Sequence, residues 1–158
     1  MKLIVCTDPR GGMMFNKRRT TSDVVVTADI LREVEGGRLL IAPYSEKIFK
    51  TCEAEGYAPA GYSYTVSKDP LGDARAGDTV FLEERSARER LSEIDTIIVY
   101  RWTVIYPFDY SFDIDPRAEG FVLSEQYDFP GYNHDLVTKE VYTRKKYTTL
   151  CILSLLLQ

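Results

Sequence analysis

Histidine is almost missing from this chain. Its 158 residues contain one, His134, and hydrolytic zinc sites and Ser-His-Asp triads depend on that side chain. The three cysteines, Cys6, Cys52 and Cys151, are odd in number and show no C-x-x-C spacing. That argues against a disulfide scaffold and suits free thiols in a reducing cytoplasm. Basic excess is missing as well. Twenty Lys and Arg against 24 Asp and Glu leave a net charge of −4, the wrong sign for broad nucleic-acid binding, which works by displacing counterions from phosphates. No apolar run approaches the ~20 residues of a membrane span. Leu150–Leu157, broken by Ser154, is the longest, and Met1-Lys2 leads directly into a strand without a signal sequence. The expectation is a cytoplasmic protein with no membrane association.

Several phosphate and nucleophile motifs are absent too. No G-x-S-x-G marks a nucleophile elbow. Neither Gly11-Gly12 nor Gly36-Gly37 is followed by the Lys-Ser/Thr of a phosphate loop. With 44% apolar and 28% charged residues, the composition is that of an ordinary globular domain, large enough to bury a core. His134 reads as a surface or strand residue. Glu83-Glu84 read as solvated, because neighbours on a strand point to opposite faces, and Asp113 with Asp115 is too small a set to hold a metal.

What remains is an alternation of strands and helices. Lys2–Cys6 is a continuous apolar strand ended by Thr7-Asp8-Pro9-Arg10-Gly11-Gly12, where Gly12 permits a positive φ or a close approach. Asn16 with Lys17, Arg18 and Arg19 forms a small basic cluster, which reads first as a solvated loop and otherwise as a loop over an anion. A short helix is predicted from Thr27, its N-cap, to Val34, with Asp29 in the first turn where a carboxylate favours the helix dipole. Arg38–Ala42 is a buried strand, and Ser45 caps a helix over Glu46–Cys52. Tyr62–Ser67 alternates like a half-exposed strand, and Lys68–Gly77 reads as a loop.

Gly77–Phe112 is the organising stretch. Asp78–Glu83 and Thr96–Trp102 are strands joined through a helix over Ser86–Ser92, whose Ser86 and Glu89 have capping-box spacing. A strand–helix–strand link of this length implies a parallel crossover with a ligand site at the strands' carboxyl ends. Phe121–Tyr127 and His134–Tyr142 should form an antiparallel edge. The predicted class is α/β with three layers and a mostly parallel sheet, one domain over residues 1–146, and an apolar tail over 147–158 that packs on the domain or on a partner.

These elements, taken in order, resemble the dihydrofolate reductase family over roughly residues 1–145. Asp8 and Gly12 resemble its first strand and active-site loop, and Ala28-Asp29-Ile30 resembles the start of its first helix. Asp109-Tyr110-Ser111-Phe112 resembles its Asp-x-x-Phe, and Glu140–Arg144 its closing strand. The resemblance implies that Asp29 and Tyr100 are the catalytic pair. If the fold serves only for binding, a ligand is expected in the cleft under Gly11–Arg19, among Cys6, Gly12, Ser45 and Trp102, with Lys17, Arg18 and Arg19 facing an anion and Tyr106 adding aromatic surface. NADPH would lie along Ala42, Ser45, Arg85 and Ser86.

Two departures point away from that cofactor. Where the family places consecutive glycines against the pyrophosphate, this chain reads Glu83-Glu84-Arg85-Ser86, and the phosphate-binding arginine after Ala42 is gone. Two like charges at ~4 Å repel by about 1 kcal/mol even at the dielectric of bulk water. The expectation is therefore a module of this fold that binds a small ligand or a protein partner, without cofactor. The alternative is an NAD(P)H-dependent reductase acting on a pterin-like or pyrimidine-like ring. The chain also resembles short clostridial-type proteins sometimes labelled ribonuclease Z. That likeness implies a two-zinc nuclease, whose histidine cluster one histidine cannot supply.

Overall fold

The computed structural model describes residues 1–34, 36–146 and 156–157. Its strands and helices run β1 (Lys2–Thr7), β2 (Gly12–Phe15), β3 (Arg18–Arg19), α1 (Val24–Arg32), β4 (Leu39–Ile41), α2 (Glu46–Ala54), β5 (Thr65–Val66), α3 (Pro70–Asp73), β6 (Thr79–Phe81), β7 (Thr96–Trp102), β8 (Tyr110–Ser111), β9 (Phe121–Phe129) and β10 (Val137–Arg144). A seven-stranded sheet takes the order β5-β4-β6-β1-β7-β10-β9. Strands β5, β4, β6, β1 and β7 are mutually parallel, and β10 and β9 add an antiparallel edge. The predicted α/β class and edge are what the structure has. Among the described residues no helix is long and apolar enough to cross a membrane.

Alternation along the strands builds two cores. Leu3, Val5, Leu40, Val80, Ile97 and Val99 face one side. Ile4, Leu39, Ile41, Phe81, Ile98, Tyr100 and Trp102 face the other, against Ile30 and Leu31 of α1 and Phe49 and Cys52 of α2. The strands at the middle of the sheet are thus apolar on both faces, as parallel strands covered by helices must be. In-register pairing also lines up Cys6, Tyr100, Lys139 and Tyr127 across β1, β7, β10 and β9. That row lies on the α1 side of the sheet.

Several local expectations are corrected. Helix α1 begins at Val24, not after Thr27, and Asp23 is its N-cap, accepting from the Val25 N–H at 2.9 Å. Three consecutive valines disguise the start, because β-branched residues read as strand. Asp29 consequently sits beyond the first turn. The predicted Ser86–Ser92 helix is a 3₁₀ turn over Arg88–Glu93, distorted at Arg90. Its capping box does not form: Glu89 pairs with Arg85, and Ser86 donates to Asp113 Oδ2 at 2.7 Å. The Tyr62–Ser67 strand shrinks to β5, and the Lys68–Gly77 loop contains α3. The tail assigned to 147–158 lies outside the described residues, apart from exposed Leu156 and Leu157.

The candidate cleft at the carboxyl ends of the strands

The carboxyl ends of β1, β6 and β7 meet the start of α1 at a narrow cleft lined by Cys6, Asp23, Ile30, Phe81, Glu83 and Trp102, among others. Its free volume is about 10 Å3, room for about one water molecule. From α1 the lining residues are Val26, Thr27 and Ile30, with Asp23 at the cap. Asp29 and Tyr100 do meet, the Tyr100 hydroxyl donating to Asp29 Oδ2 at 2.6 Å. They do so beside the cleft rather than in its lining, beneath α1. Burial and the Asp29 charge push the Tyr100 phenol well above its ordinary range.

The same Asp29 oxygen accepts from Lys139 Nζ at 2.7 Å, and Glu33 takes a second bond from that ammonium. Lys2 Nζ reaches Glu33 Oε2 at 3.4 Å. Burial alone would lower the Lys139 pKa, but hydrogen bonds to Asp29, Glu33 and Tyr127 outweigh it and hold the group above the usual lysine value. Asp29 is thus paired to a lysine that is 2% exposed.

A second cluster closes the cleft. Glu83 is buried, not solvated as its neighbourhood suggests, because the chain leaves β6 there and turns it beneath the hairpin. Arg19 clamps it through Nε and Nη2 at 2.8 and 2.9 Å, and Ser45 Oγ donates to it at 2.6 Å. Ser45 therefore occupies the N-cap of α2 without making a side-chain cap. The Arg19 guanidinium lies 4.5 Å from the Tyr44 ring centre and donates to the Tyr44 carbonyl at 3.2 Å. So Arg19, proposed to face an anion, already holds one from its own chain. Lys17 and Arg18 point into solvent. Burial, then the Glu83 charge, drive the Cys6 pKa far up, so the thiol stays protonated.

The remaining sequence candidates are dispersed. Gly12 packs under Phe108, whose ring a β-carbon would approach to 2.5 Å, while the positive φ falls on Gly11. Arg85 pairs with Asp69 and Glu89. Ala42 lies half-buried ahead of the Pro43–Ser45 turn.

Asp23 is not singled out by the sequence, and His134, read there as a surface or strand residue, is instead buried in the loop ahead of β10. Asp23 and His134, 111 positions apart, join through Oδ2 and Nδ1 at 2.9 Å. Asp23 also accepts from the Tyr132 and Asn133 N–H groups at 2.9 and 3.0 Å. Burial opposes its ionisation, but these bonds prevail and hold its carboxyl below the usual range. The His134 ring stacks on Trp102 at 4.5 Å, and its Nε2 faces Thr21 Oγ1 at 3.2 Å and the Tyr106 hydroxyl at 3.4 Å. Asp23 ahead of an apolar run is a capping signal. Nothing local announces His134.

No protein-family model matches this sequence, and no curated protein does. Its three-dimensional form does have a match. Dihydrofolate reductase from Enterococcus faecalis, solved complexed with NADP(H) and RAB-propyl, superposes with a TM-score of 0.60, over 92% of this chain and 97% of that one. The fold is that of dihydrofolate reductase. At 12% identity the likeness concerns the backbone path. Within that dihydrofolate reductase-like frame, the Arg19–Glu83–Ser45 cluster and the Asp29–Lys139 pair belong to this chain's own side chains.

Proposed function

We propose that this chain is a dihydrofolate reductase-shaped binding module that has given up the usual dinucleotide and folate contacts and takes a small ligand or a protein partner. The observation that carries this reading is how little free space the cleft holds. About 10 Å3 is free where Cys6, Ile30, Phe81 and Trp102 converge, against roughly 300–1,000 Å3 for a typical ligand pocket. With Glu83 clamped by Arg19 and Ser45, its carboxylate fills the place a diphosphate would take, and the cleft side of α1 offers Val26, Thr27 and Ile30 to a substrate ring. A groove of about 230 Å3 between α1 and α2, lined by Arg19, Asp23, Thr27, Lys47 and Thr51 among others, is open beside it. That groove is where a small ligand would first land, with exposed Lys47 as an available cation. The free thiols of Cys6 and Cys52 support a reducing compartment, the cytoplasm.

The reductase reading has its own support. Asp29 and Tyr100 share a 2.6 Å hydrogen bond, and the Enterococcus faecalis enzyme was solved with NADP(H). Thermal unfolding with and without NADPH separates the two. A true cofactor at a hundred times its dissociation constant adds about 2.7 kcal/mol. We expect no shift and no energy transfer from Trp102 to bound nicotinamide. A shift of that size overturns the module and restores the reductase.

A further inference from the structure

The second strand of the hairpin made by β2 and β3 reaches the main sheet through one side chain. Strand β2 is anchored by buried Met13 and Met14 and by pairing to β8. Strand β3 is two residues long, and Arg18 faces solvent. Arg19 alone carries β3 onto the sheet end, where it binds both oxygens of Glu83, and its own N–H donates to the Tyr44 hydroxyl at 3.0 Å. β3 stays paired to β2 at Met14–Arg19 and Phe15–Arg18, so breaking that one cluster loosens the Arg19 edge of the hairpin while leaving β2 in place.

We infer that Arg19, Glu83 and Ser45 form a latch that holds the hairpin shut over the cleft, and that a ligand enters by exchanging its own oxyanion for the Glu83 carboxylate. This rests on the module reading above and names its ligand class: a small molecule bearing a phosphate or carboxylate. The chemistry is that of the donor set. A guanidinium edge offering two N–H donors suits any group with two adjacent anionic oxygens, and Ser45 Oγ supplies a third donor at 2.6 Å. Glu83 fills all three from inside the chain. Once displaced it vacates the wall of the cleft beside Cys6 and Trp102, and the space opened there receives the rest of the ligand. The tethered carboxylate always competes, so a bare anion binds weakly, and affinity must come from the part of the ligand that occupies the opened cleft.

Cys6 and Trp102 line the cleft and report its opening. The test uses the whole chain without nucleotide, as wild type and as Glu83→Gln, which keeps the side chain's shape and removes its charge. Acrylamide quenching of Trp102 and iodoacetamide labelling of Cys6, located by peptide mapping, are both followed. Both should rise about tenfold in Glu83→Gln as the local opening becomes populated. Inorganic phosphate should then reverse the rise, a phosphate monoester and a simple carboxylate separating the two ligand sources. Quenching is the decisive signal, since losing the Glu83 charge also makes the Cys6 thiol easier to ionise. A folded Glu83→Gln protein in which Trp102 is quenched no faster than in wild type overturns the latch. Phosphate that changes nothing in either protein overturns the exchange. Should Glu83→Gln not fold, Ser45→Ala removes one hydroxyl from the same carboxylate and is read the same way. Nucleotide binding by wild type would sink the module reading alone, because these signals are measured without nucleotide.

Discussion

Two buried acid–base clusters lie on either side of β1, and they are built for different ends. Beneath α1, buried Lys139 sits between Asp29 and Glu33 and ties the helix to the sheet. At the sheet's carboxyl end, Glu83 sits between Arg19 and Ser45, and Arg19 rides on a two-residue strand at the end of an exposed hairpin. Desolvation penalises both, and both repay it with charge-assisted hydrogen bonds. The difference lies in what is attached to the ions. Parting the first pair means separating a helix from the sheet. Parting the second loosens only the outer edge of a hairpin, whose two strands stay paired. Buried charge thus holds the core together in one place and makes a detachable contact in the other.

Removing one charge from each cluster tests that contrast. Lys139→Met leaves Asp29 and Glu33 facing each other with only Lys2 nearby, and should cost about 4 kcal/mol. Denaturant unfolding should show the whole loss as a shift of one cooperative midpoint with an unchanged slope. Glu83→Gln should move the same midpoint much less and act locally, as the quenching of Trp102 records.

The Asp23 clasp lies between these extremes, joining the start of α1 to the loop before β10. Asp23→Asn should cost about 2 kcal/mol, the sum of a weakened cap and poorly satisfied N–H donors. Its carboxyl is held below the usual range, so its contribution is fully present above the unfolded value near about 3.9 and is lost as pH falls through the lower folded value. The gap between wild type and variant, followed by chemical denaturation, should stay constant from neutral pH to about 5 and shrink below about 4. A gap that grew on acidification would contradict the assignment.

The smallest effect is expected at the hairpin tip. Asn16 and Lys17 have φ of 49° and 62°, the pair of positive values that a two-residue turn of type I′ requires. Asparagine tolerates this, but lysine does so under strain. Lys17→Gly should raise stability by about 0.5 kcal/mol without opening the latch. A thermal melt checks the first part and Trp102 quenching the second.

The legible features were those set by neighbours in sequence. Thr96–Trp102 is β7 to the residue because six of its seven side chains are β-branched or aromatic and admit little else. The parallel crossover followed from short links between β6 and β7. Helix α1 starts four residues earlier than its local pattern suggests, because Val24-Val25-Val26 favours extended chain locally and burial against the sheet overrides that preference. Asp29 and Tyr100 do share a hydrogen bond, but the lysine that joins them arrives from β10, 110 positions away from Asp29.

The order of apolar strands and capped helices determined an α/β sheet with an antiparallel edge, since hydrophobic alternation and turn chemistry act over a few residues. Tertiary structure alone decided which charges meet. Arg19 with Glu83, Asp23 with His134 and Asp29 with Lys139 are separated by 64, 111 and 110 positions. A carboxylate's surroundings, whether water or a guanidinium, depend on where the folded chain carries it.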